Sequence, residues 1–169
     1  MEGGRLMSDF RFGIWGCGLI STFHADAIQK IEGAVLVGAY DLNAEAQHKL
    51  CAAHQAKAFS SVEELVCSPD IDAVCICLPS GLHYEAAMRC IRAGKHVVIE
   101  KPLALTSAQA GDIVQAAKEH RVYEVGNAYP PDCNCNYCCG ACELMRRIRH
   151  KAGSELRSTM TKVKNACVR

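Results

Sequence analysis

Six short apolar runs alternate with helix-forming stretches between residues 10 and 126, and this order constrains the fold more than any other feature of the chain. Phe10–Trp15, Ala34–Tyr40, 73–78 and 96–100 are nearly unbroken in apolar character, and shorter runs lie at 57–59 and 122–125. A strand wet on one face alternates polar with apolar residues; a continuous run belongs to a strand covered on both faces. The intervening stretches carry helical signals. Residues 19–31 place Ile20, Phe23, Ala27, Ile28 and Ile31 at helical spacing. Asn43 is a natural N-cap for Ala44–His54, Ser61 with Glu64 and Thr106 with Gln109 form capping pairs, and Gly94 stops a helix over 82–93. The expected fold is α/β, with a doubly wound, mostly parallel sheet.

The chemistry gathers where strands end. Gly16-Cys17-Gly18-Leu19-Ile20-Ser21 lies between the first strand and the first helix, the context that a Rossmann dinucleotide fingerprint needs. Gly16 permits the tight turn, Gly18 lets the backbone approach a pyrophosphate, and the helix N-terminus at Leu19 and Ile20 offers free N–H groups. Ser21 stands where the third glycine is expected, so an ordinary glycine turn stays open as a reading. Asp41 ends the second strand, 23 residues after Gly18. There an acid accepts hydrogen bonds from a ribose diol and repels a 2′-phosphate. No arginine stands within several residues of it, which favours NAD over NADP; a plain turn aspartate is the alternative. Leu78-Pro79-Ser80-Gly81-Leu82-His83 and the run 94–102 fall at the next strand ends, the edge where open α/β sheets take ligands. Lys101 is the chemically active cation there: a proton-transfer group in a dry cleft, or a surface lysine before Pro102.

Gly16 through His24, Pro79 to His83, and Ala93-Gly94-Lys95-His96-Val97 through Glu100-Lys101-Pro102-Leu103-Ala104 together resemble the Gfo/Idh/MocA family, the relatives of glucose–fructose oxidoreductase and inositol dehydrogenase. The resemblance covers about residues 10–126. It implies an NAD(P)-dependent oxidoreductase acting on the hydroxyl or carbonyl of a sugar or polyol. It implies a catalytic or proton-relay role for Lys101 and places Pro79, Ser80 and His83 beside the cofactor, so that the expected cofactor-binding residues are Gly16, Cys17, Gly18, Leu19, Ile20, Asp41, Leu78, Pro79, Ser80, His83, Glu100 and Lys101. For His24 and His83 the residue-level alternative is a histidine that orders a turn. It also suggests a cis peptide between Lys101 and Pro102.

Composition narrows the partners. The formal net charge is +1 and only 6% of residues are aromatic, which argues against nucleic acid or an anionic membrane as partner. No apolar run reaches the roughly 18–20 residues of a membrane span. Residues 1–9 read as a tail without the apolar core of a signal peptide, with Met7 as a second candidate start, so a cytoplasmic protein is expected. Twelve cysteines fall short of a disulfide scaffold in a chain of 169 residues.

Past Gly126 the character changes. Pro130-Pro131 interrupts the chain, five cysteines crowd residues 133–142, and a basic run follows at Arg146, Arg147, Arg149, His150 and Lys151. Three readings stand for 127–169: a truncated or frame-shifted end, a small metal site built on Cys135, Cys138, Cys139 and Cys142, or a short helix from Glu143 to Lys151 packed on the domain. No metal is assigned. Family members are about twice as long and carry a substrate domain with an Asp-x-x-x-His motif, which is not found after Lys101. The chain is therefore expected to bind the dinucleotide without turning over sugars by itself. Its uncovered apolar face would favour self-association into a homo-oligomer. A non-catalytic dinucleotide-binding module is the rival class.

Overall fold

The computed structural model describes residues 9–126 and 139–151. Strands β1 (Phe10–Trp15), β2 (Ala34–Tyr40), β3 (Lys57–Ala58), β4 (Ala73–Ile76), β5 (His96–Ile99) and β6 (Glu124–Gly126) form one sheet in the order β3-β2-β1-β4-β5-β6. Every pairing in it is parallel. The order reverses between β1 and β4, so the chain opens a crevice at their carboxyl ends.

Helices α1 (Leu19–Lys30), α2 (Ala44–His54), α3 (Val62–Cys67), α4 (His83–Arg92) and α5 (Ser107–Glu119) connect these strands. The expected caps form: Asn43 accepts from the Glu45 and Ala46 amides, Ser61 from Glu64, and Thr106 from Gln109. Two apolar layers flank the sheet. One packs α1 and α2 against Phe12, Ile14, Leu36 and Val98. The other packs α3, α4 and α5 against Val74, Ile76, Val97 and Ile99. The strand residues alternate between the layers, which is why their sequences read as continuous apolar runs.

The fourth strand stops at Ile76, two residues short of the expected end, because Leu78 and Pro79 turn into a 3-10 turn over Ser80–Leu82 that leads α4. The last strand is shifted to Glu124–Gly126. Residues 127–169 are not wholly irregular. Helix α6 (Cys139–Lys151) lies beside α1 and against β5 and β6. Ala141, Leu144 and Met145 enter the first core layer, and Leu144 is fully buried. Arg147 anchors the helix to β6, donating to the Glu124 carbonyl at 3.3 Å. The helix reading thus describes residues 139–151, four residues longer than expected. Cys133, Cys135 and Cys138 lie outside the described residues.

Candidate dinucleotide-binding site

The glycine turn leaves β1 at Trp15. Gly16 has φ +98°, in the left-handed region, and its N–H donates to the Tyr40 carbonyl at 2.9 Å. A Cβ at this position would sit 2.6 Å from the Cys77 carbonyl oxygen, so the fold itself demands glycine. Gly18 is different. Its φ of −73° suits any residue, and a Cβ there would meet no protein atom within 4 Å. The chain alone gives no reason for glycine at 18; a ligand lying along the backbone would. Gly18 is also the N-cap of α1, with no side-chain cap and no acid in the first turn. The first N–H groups of the helix therefore keep their partial positive charge for an outside anion. Ser21 is fully buried and its hydroxyl donates to the Gly18 carbonyl at 2.5 Å. The departure from the third glycine thus serves the turn.

Asp41 closes the loop from β2. Its Oδ2 accepts the Cys17 N–H at 2.6 Å and its Oδ1 the Asn43 N–H at 2.7 Å. An ionised carboxylate has further lone pairs, so both oxygens can still accept from a ribose diol. The Cys17 side chain points into the core. Burial first, then Asp41 and Cys51, push its thiol up to about 12, which keeps it neutral and unreactive at pH 7. Leu19 is 81% exposed, whereas Ile20 packs on the core, so this segment offers its backbone rather than its side chains.

A cleft of about 1000 Å³ opens between the ends of β1, β2 and β4, with Gly16, Gly18, Asp41, Leu78 and Pro79 among its walls. Ser80, His83, Glu100 and Lys101 stand outside that lining. His83 is buried at the start of α4 and Glu100 is buried just after β5, while Lys101 is exposed on the turn that follows. The Lys101–Pro102 peptide is cis.

Two features of this edge of the sheet escape the sequence reading. Arg89 and Arg92 of α4 line the cleft together with Asp41, although they follow Asp41 by about fifty residues. Their spacing of three marks one helical face, but only the fold shows that this face meets the end of β2. Arg89 is paired with Glu63 of α3 and lies over the Trp15 ring. The second feature is a buried pair, His24 Nε2 to Glu100 Oε1 at 2.6 Å, joining α1 to the end of β5. Among the described residues no cluster of three His, Cys, Asp or Glu could hold a metal ion, and no helix is long and apolar enough to cross a membrane.

The same residues resemble known proteins. The family model for the Gfo/Idh/MocA oxidoreductases, described by their NAD-binding Rossmann fold, matches residues 10–127. The myo-inositol 2-dehydrogenase of Thermotoga maritima is 34% identical over 113 residues, which are 64% of this chain and 33% of that protein. The UDP-N-acetylglucosamine 3-dehydrogenase of Acidithiobacillus ferrooxidans is 34% identical over 122 residues, 72% of this chain and 38% of that protein. Among solved structures, the WlbA dehydrogenase of Bordetella pertussis in complex with NADH and UDP-GlcNAcA superposes with a TM-score of 0.65 at 38% identity, covering 70% of this chain and 35% of that one. The chain spans about a third of the length of these relatives.

Proposed function

From the premise that the chain belongs to the Gfo/Idh/MocA oxidoreductase family, we propose that residues 10–126 are a dinucleotide-binding domain that holds NAD for oxidation or reduction of a hydroxyl/carbonyl pair on a sugar or polyol. The observation that carries this reading is the open cradle at Gly18, where a Cβ would meet nothing of the protein itself. The backbone from Gly16 to Ile20 would hold the pyrophosphate against the uncapped N-terminus of α1. Asp41 would accept from the adenosine ribose, selecting NAD, while already fixing the Cys17 and Asn43 amides. When bound, the nicotinamide supplies the hydride chemistry. Lys101, exposed at the same edge of the sheet, would take or return the proton of the substrate hydroxyl. A cytoplasmic setting and a sugar or polyol partner belong to the same proposal.

Titration calorimetry with NAD and NADP tests it. Saturable NAD binding, tighter than NADP, is expected, and Gly18→Val is expected to abolish it by filling the cradle. A Gly18→Val chain that bound NAD as the wild type does would overturn the site. Turnover is read as NADH formation over a panel of sugars and polyols. Lys101→Met is expected to abolish whatever turnover the wild type shows while saturable NAD binding persists. Turnover indifferent to that substitution removes the role given to Lys101.

A further inference from the structure

The turn that carries Lys101 is gripped on both sides by a buried histidine, one on α1 behind the glycine turn and one at the start of α4. On the N-terminal side stands Glu100, 6% exposed. One carboxylate oxygen lies 2.6 Å from Nε2 of His24, which is 1% exposed on α1. The other accepts the Lys101 N–H at 3.2 Å. On the C-terminal side, the Pro102 carbonyl lies 2.7 Å from Nδ1 of His83, also 1% exposed. The second nitrogen of His83 lies 2.8 Å from the Leu78 carbonyl, and Leu78 lines the cleft.

A carboxylate withdrawn from water is costly unless its oxygens are bonded, and His24 and the Lys101 amide meet that need. The His83 ring faces carbonyl oxygens from both nitrogens. It can donate to only one of them when neutral and to both when protonated, so the protonated ring is the form that ties both loops. Both rings are buried. What they can do is geometric. His24 rides on the helix whose first turn would face the pyrophosphate. His83 is fastened to the loop after β4. Through Glu100 and Pro102 these two elements meet at the backbone of Lys101.

We propose that His24 and His83 are positioning residues which, acting through Glu100 and the Pro102 carbonyl, fix the Lys101 turn against α1 and the loop after β4. The proposal rests on the reading of Lys101 as the group beside the nicotinamide half. It explains why histidine, rather than an apolar residue, occupies two fully buried positions. A shift of the turn by an ångström would misplace the lysine amine while leaving the adenosine end untouched.

The test compares two ligands on the full chain by calorimetry. ADP-ribose reports on the cleft walls, and the advantage of NAD over ADP-ribose reports on the Lys101 end. His24→Leu and His83→Leu are expected to weaken NAD about tenfold more than ADP-ribose. His24→Gln and His83→Gln, which keep a donor, are expected to recover most of that loss. In a Lys101→Ala background the leucine substitutions should add nothing further, as residues acting through one lysine must. Equal weakening of both ligands would mean a merely structural role and overturn the proposal, as would an unchanged NAD advantage. Should the leucine variants not fold, His24→Asn and His83→Asn, too short to bridge, must lose the advantage that the glutamine variants keep. Lys101→Ala tells the two ideas apart. If it retains the full NAD advantage, the lysine assignment falls and the proposal with it. If it loses the advantage while the histidine variants keep theirs, only the positioning role falls.

Discussion

The two edges of the sheet use polar side chains in opposite ways. At the amino edge they stay near water and pair there. Arg11 donates to Asp72 from its backbone and its guanidinium at 2.9 Å and reaches Asp70 at 3.4 Å, while Lys95 donates to the Ser68 and Ile71 carbonyls. At the carboxyl edge several are buried, beside exposed ones such as Lys101. Ser21, His24, Gln47, His83 and Glu100 are the buried polar side chains among the described residues, and each bonds near a strand's carboxyl end or the loop beyond it. Solvent-facing ion pairs contribute little to stability, about 0–1 kcal/mol, whereas a buried polar group demands full satisfaction. The amino edge therefore closes loops with adjustable surface pairs. The carboxyl edge commits five buried groups to holding backbone in place, as a binding site built on loops requires.

The sharpest way to break this contrast lies within the glycine turn. Gly16→Val forces a branched side chain into a left-handed φ and onto the Cys77 carbonyl. A loss on the order of 3–5 kcal/mol is expected, read as a fall in the denaturation midpoint. Gly18→Val should cost about 1 kcal/mol or less, since no protein atom is there to clash and only the N-cap preference is lost. Equal destabilisation by the two would erase the distinction between a glycine needed by the fold and one needed by a ligand. Next in size is Leu144→Ala, which removes the fully buried anchor of α6. A cost of about 3 kcal/mol is expected with NAD affinity unchanged. A variant as stable as the wild type would detach α6 from the core. Third, Asp41→Ala should weaken NAD by about 2 kcal/mol and narrow its lead over NADP in calorimetry, since a charge-assisted acceptor is lost. A wild-type chain that preferred NADP would defeat this.

The contrast also explains what could be read from sequence. Strand positions along the chain, helix spans and caps were legible because local signals agree with the parallel sheet: continuous runs for doubly covered strands, Asn43, Ser61 and Thr106 at helix starts, and Gly94 at a helix end. Gly16, Gly18 and Asp41 were legible because they follow one another along a strand–turn–helix–strand path. The grip on Lys101 was not, because His24 and Glu100 are 76 residues apart and His83 and Pro102 are 19 apart, joined only by the fold. Arg89 and Arg92 were missed beside Asp41 for the same reason. Helix α6 stood only as one of three readings, and its start was obscured by its cysteines. Its buried face rests on Ala141, Leu144 and Met145, too short a stripe to stand out in a basic run.

The smallest expected effect tests the amino edge on its own terms. Burial would by itself raise the Asp72 carboxyl, but the hydrogen bonds from the Arg11 side chain and backbone outweigh it and hold the group below its ordinary value of 3.8. A carboxylate lowered in the folded state binds fewer protons there than in the unfolded chain. Its contribution to stability is present above pH 3.8 and is lost as pH falls through the lowered folded value. Asp72→Asn keeps an acceptor for Arg11 but loses the charge, and with both partners about a third exposed the cost at pH 7 is about 1 kcal/mol. Glu124 works with the opposite sign: burial raises it against the pull of Arg147, so its contribution is present at low pH and fades as pH rises past 4.5. Because Glu124 is common to both proteins, subtracting the two stability curves cancels it. What remains should be a difference of about 1 kcal/mol at neutral pH that closes as pH falls through the lowered Asp72 value. NAD affinity, measured at pH 7, should be the same in both. A difference that persists in acid would show that Asp72 acts through shape rather than charge, and a loss of NAD affinity would show that the two edges are coupled.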